Sequence, residues 1–156
     1  MVLDGSGPMR HLTVESLREA ARVSPDIAAA RITILSLEDI WTALSAGNNP
    51  LEDVAVAVYL PASSSASPIE RAVRMRQSGW TGETVVVWPM IPDASLALRW
   101  PWAHFVGHPA DQSQAATAGA IVDQVLDIVR GYLVTYAANV ADSSSEVDGE
   151  RRARAA

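Results

Sequence analysis

A chain of 156 residues with 49% hydrophobic and 19% charged residues has room for one domain with its own core, and is too apolar for a disordered chain. Its net charge of −6 argues against a nucleic-acid surface, which needs a concentrated basic stripe, so no direct nucleic-acid partner is expected. It has no cysteine and no lysine, all twelve basic residues being arginine, which excludes disulfides, thiolate chemistry, Cys-based zinc sites, Schiff-base chemistry and a P-loop lysine.

In chain order, the first residues allow a brief strand over 1–3. They lack the basic-then-apolar layout of a secretion signal, and no apolar run anywhere reaches the roughly 18 residues of a membrane span. A cytoplasmic protein without membrane contact is therefore expected. Its Ala-, Arg- and Val-rich, lysine-free composition is that of a bacterial chain from a G+C-rich genome, an association rather than a physical inference. Thr13 is placed to cap a helix over 14–23 with Leu17, Ala20 and Ala21 on one face, and Ser24-Pro25-Asp26 ends it. Residues 31–37 alternate as an edge strand does, and Glu38 and Asp39 open a short helix that Gly47 to Pro50 close.

A strand is expected over 54–60, before Pro61, and a Ser/Ala/Pro loop follows to Ser67. Ser67 then Pro68 fits an N-cap with proline at the first helical position, opening a helix over 68–78 that Gly79 stops. Further strands are expected over 84–88 and 103–106, separated by an irregular stretch with one helical turn near 93–98. The last helix is expected from Gln114 to about Asn139, with Ile121, Val122, Val125, Leu126, Val129 and Leu133 on a broad face. Beyond it, 141–156 is polar and Ser-rich and reads as a disordered tail, leaving 1–140 as a single domain.

The runs at 54–60, 84–88 and 103–106 are short, β-branched and unalternating, the pattern of strands buried on both faces. Alternation of strand and helix favours right-handed crossovers. The expected fold is therefore α/β, a three-layer sandwich with a four- or five-stranded parallel sheet.

Such sheets place ligands at the carboxyl ends of their strands. There the sequence offers Tyr59, Ser63, Ser64 and His108 as a ligand edge, with His108 a proton carrier or a plain loop histidine bonded to backbone. His104 reads as a satisfied core histidine. Glu38 and Asp39 read as a carboxylate pair or, more simply, as compensation of a helix dipole. No metal ligand set and no cofactor motif is found. The stretch 88–102 holds three of the five tryptophans, with prolines between them and little helix to cover the sheet. Trp, Met and Arg are enriched in binding hot spots, which marks Trp88, Met90, Ile91, Leu98, Arg99, Trp100 and Trp102 as partner-binding candidates; the plainer reading is that the tryptophans plug the hole left by a short helix.

From Asp53 onward the pattern resembles a response-regulator receiver domain: a hydrophobic strand ending in Pro61, a helix containing Arg71 to Trp80, Thr84-Val-Val-Val-Trp-Pro89, and His104-Phe-Val-Gly-His-Pro109 before the last helix. The resemblance implies receiver-like, flavodoxin-like topology. It does not carry the family's chemistry over. The phospho-acceptor falls at Val58 or Tyr59, the switch hydroxyl on Trp88 or Pro89, the family's lysine on His108, and only Asp4 is left from the acidic pair that would hold magnesium. It implies a pseudo-receiver, a non-catalytic regulatory module acting by homodimerisation or on a protein partner through 88–102 and the last helix. The alternative is a flavodoxin-like small-molecule binder or enzyme at the carboxyl edge.

Overall fold

The computed structural model describes residues 1–29, 33–62 and 66–155. Among these residues, twelve segments of regular structure follow one another. They are β1 (Val2–Asp4), α1 (Gly7–Val23), α2 (Pro25–Ala29), β2 (Leu35–Ser36), α3 (Leu37–Ser45), a 3-10 turn at Pro50–Asp53, β3 (Val56–Tyr59), α4 (Pro68–Gln77), β4 (Glu83–Trp88), α5 (Ala94–Arg99), β5 (Ala103–Gly107) and α6 (Gln114–Ala155). All strand pairs are parallel, in the order β2-β1-β3-β4-β5. The sheet has five strands, and β2 is an edge.

Two cores flank the sheet, as two-sided burial of its strands requires. On one face Leu3, Val56, Val58, Leu60, Val85, Val87 and Val106 meet α1, α2 and α6. On the other, Val2, Ala57, Tyr59 and Val86 meet Ile40 of α3 and Ala72 of α4. Successive residues of β3 therefore point to opposite cores, which is why its sequence is apolar without alternation. Helices on both faces are compatible with a three-layer sandwich. Ile121 and Val125 of α6 are wholly buried, and each such side chain contributes about 1.5–3 kcal/mol.

Several boundaries differ from expectation, each for a local reason. Helix α1 begins at Gly7, because Pro8 suits a first turn that lacks hydrogen-bond donors; Thr13 lies inside it, buried, with its hydroxyl donating to the Met9 carbonyl at 2.8 Å. Strand β2 is only Leu35–Ser36 rather than 31–37, with 30–32 outside the described residues. Ser36 is drawn into a capping box with Asp39, whose carboxylate accepts from the Ser36 N–H at 2.7 Å, so α3 starts immediately after it. This bond, first, and the Ser36 hydroxyl hold the Asp39 carboxyl below its ordinary range. Helix α6 runs to Ala155 rather than ending near Asn139; no proline follows Pro109, and Arg152 and Arg154 favour the negative end of the helix.

At α4 the expected cap is present: the Ser67 side chain accepts from the Glu70 N–H, and Glu70 accepts from the Ser67 N–H. Ser67→Ala is expected to cost about 1 kcal/mol in urea denaturation, whereas Ser78→Ala at the other end removes no N-cap and should cost less.

Candidate functional site

The carboxyl ends of β1 and β3 are closed by an arginine from α4. Arg71 Nη1 lies 2.8 Å from Asp4 Oδ2 and donates to the Asp4 carbonyl at 3.2 Å, while Nη2 donates to the Leu60 carbonyl. The two side chains are only 11% and 12% exposed, so water screens the pair weakly. Arg71 Nε is buried with no partner among the described residues. One carboxylate oxygen of Asp4, Oδ2, is thus paired with a guanidinium. Among the described residues no three His, Cys, Asp or Glu side chains gather as a metal site, Glu38 and Asp39 included.

Tyr59 pairs in register with Asp4 and is 2% exposed. Burial pushes its phenol well up, the Asp4 carboxylate adds to this, and Arg71 opposes it, so the hydroxyl keeps its proton at neutral pH. His108 follows β5. Its N–H donates to the Trp88 carbonyl at 2.7 Å, and Nδ1 lies 2.7 Å from the hydroxyl of buried Thr117 on α6. That hydroxyl also accepts from Gln112 Nε2 at 3.0 Å. His108 thus ties β5 to the first turn of α6. Tyr59 belongs to the opposite core, so the two ends of the expected ligand edge are not brought together. Ser63 and Ser64, the other members, lie outside the described residues.

The tryptophan corner divides into packed rings and exposed aliphatics. Trp88, Trp100 and Phe105 form a mutual cluster with centroids 5.7–6.0 Å apart, and Arg99 lies 4.5 Å over Trp100. Trp102 packs on the α3/α4-side core with Arg76 5.0 Å over its ring. These rings cover the part of the sheet that six-residue α5, capped by Asp93, is too short to cover. Met90, Ile91 and Leu98 point outward, at 60%, 79% and 86% exposure. The loop carrying Met90 and Ile91 lies on the end of β5, where a Cβ on Gly107 would come within 2.9 Å of the Met90 carbonyl oxygen.

Two side-chain groups were missed from sequence. One is Arg71, whose only signal is a charged residue beside Ala72 on the face of α4 that meets the sheet. The other is the pair His104–Glu83, 3.0 Å apart at the amino ends of β5 and β4. His104, expected in the core, is 42% exposed, because β5 is an edge strand and its side chain reaches outward to Glu83. Two clefts lie at opposite edges of the sheet, the second of them at the carboxyl end of β1, where Gly5, Ser6 and Gly7 line it. One, of about 560 Å³, is lined by Glu52, Trp80 and Tyr132 near the amino ends of the strands, and one of about 470 Å³ lies beside Arg10, His11 and Arg18. No described helix is long and apolar enough to cross a membrane.

Comparison of the chain with models of known families, with curated proteins and with solved structures found no match.

Proposed function

We propose that this chain is a non-catalytic regulatory module of receiver-like, flavodoxin-like topology, a pseudo-receiver that works by protein contact in the bacterial cytoplasm. The parallel strand order β2-β1-β3-β4-β5 supports that topology. The loss of phosphotransfer chemistry is supported by a buried, protonated Tyr59 where the acceptor would stand and by an Asp4 already paired with Arg71.

One observation carries the reading. Met90 and Ile91, in the loop after β4, and Leu98, near the end of α5, stand exposed beside a base of interlocked aromatic rings. Large apolar side chains held on a rigid base lose little entropy on docking, which suits a contact surface. A small-molecule site spanning Tyr59 and His108 has less support, since those residues serve opposite layers.

Incubated with acetyl phosphate and magnesium, the protein is expected to gain no phosphoryl group by intact mass. A protein partner retained by the wild type is expected to be lost from Ile91→Asp/Leu98→Asp with unchanged circular dichroism. Phosphorylation on an aspartate, or equal retention by the variant, overturns the reading.

A further inference from the structure

Helix α6 is 42 residues long, about 63 Å at 1.5 Å per residue, far longer than strands of two to six residues need. Its fully buried residues end at Leu126, and Ile128 and Val129 pack on the core at half burial. Arg130 Nε reaches Asp26 Oδ2 of α2 at 3.4 Å. Tyr132 and Thr135 border a cleft of about 350 Å³ with Glu83 and His104, at the amino ends of β4 and β5. From there the helix continues away from the sheet for roughly 20 residues, or about 30 Å.

The first turns of this continuation are the wrong chemistry for a helix alone in water. From Gly131 to Ala141 there is no charged residue, and Tyr132 and Val134 are 45% and 71% exposed. A solvated helix carries charges over most of its surface, and without packing a helix of this kind is marginal. The stripe Val122, Leu126 and Val129, which packs on the body, goes on to Leu133 with alternating three- and four-residue steps. Tyr136 and Val140 extend the same spacing in the sequence. That spacing is the one by which two helices wrap together.

We propose that the segment 131–141 of α6 pairs with the same segment of a second copy of this chain, so that the protein is a homodimer joined below the amino edge of the sheet. A second copy fits for two reasons. The stripe continues the packing face already used within the chain, and two such stripes interlock with one another. The rest of a molecule of net charge −6 repels its copy, whereas an uncharged segment can lie against itself without like-charge contact. The inference stands on a different element from the Met90–Ile91–Leu98 corner and does not depend on it.

Light scattering with size exclusion tests it on the full chain. The wild type is expected at twice the 16.6 kDa chain mass, Leu133→Glu at the single-chain mass with unchanged near-ultraviolet circular dichroism, and Leu98→Asp still as a dimer. Because the chain has no cysteine, Leu133→Cys, on the proposed seam, supplies the only thiol; mild oxidation is expected to give a covalent dimer, and Val23→Cys, exposed on α1, is not. A wild type that is monomeric at every concentration, including one that binds vesicles or another protein through this helix, overturns the proposal. So does a dimer that survives Leu133→Glu without cross-linking through Leu133→Cys, or one that Leu98→Asp dissolves.

Discussion

Arg71→Ala is expected to lower the unfolding free energy by about 3–5 kcal/mol, because it leaves the Asp4 carboxylate buried without a counter-charge. The geometry sets this scale. Both side chains are almost fully shielded, and the same guanidinium serves the carbonyls of Asp4 and Leu60, at the ends of the two neighbouring strands β1 and β3. A solvent-exposed pair such as Arg18–Glu15, with side chains 70% and 54% exposed, would cost at most about 1 kcal/mol when broken. Urea denaturation of Arg71→Ala, Asp4→Ala and the double variant separates the two regimes. The double variant is expected to lose clearly less than the sum of the single losses, since removing both charges leaves no orphaned ion. Additive losses would mean that the pair is solvated and that Arg71 acts through packing alone.

Gly5→Ala is expected to cost about 3 kcal/mol, more than a typical surface change. An added Cβ would stand 2.5 Å from Leu60 Cβ and 3.3 Å from its Cα. Leu60 has nowhere to move: it is fully buried, and its N–H donates to the Asp4 carbonyl at 2.7 Å. The backbone at Gly5, with φ near +155°, adds strain for any L side chain. Gly119→Ala gives the opposite sign. It lies inside α6 with no atom within 4 Å of the added carbon, so its replacement should stabilise the chain by about 0.5–1 kcal/mol. Thermal or urea midpoints of the two variants, moving in opposite directions from wild type, check the pair of expectations.

What could be read in advance was what local sequence controls. The strands β3, β4 and β5 were legible because two-sided burial removes alternation, and the start of α4 because Ser67 and Pro68 each have one helical use. The short α5 and the packing of aromatics in its place followed from the scarcity of helix formers between Pro89 and Pro101. Local reasoning failed where two signals competed. Ser36 serves a helix cap more strongly than a strand, and Thr13, read as a cap, lies inside a helix that Gly7 and Pro8 already open. It failed again at the far end of α6, since serines disfavour a helix by only about half a kcal/mol each. The Asp4–Arg71 pair was not legible at all, because its members are 67 residues apart and only the order of the strands brings them together.

Met90 and Ile91, after the carboxyl end of β4, and the continuation of α6 past the amino ends of β4 and β5 lie at opposite edges of the sheet. Two chains joined through that continuation would hold two identical Met90–Ile91–Leu98 corners apart at fixed spacing. Such an arrangement favours a target with repeated sites: once one corner is docked, the second meets its site at an effective concentration set by that spacing. Avidity gained in this way can reach 10²–10⁴-fold over a single contact, with no new contact made, and it vanishes when the target's sites do not match the span. A weak corner would then suffice, and the reach of the helix would act as a ruler for what the protein holds.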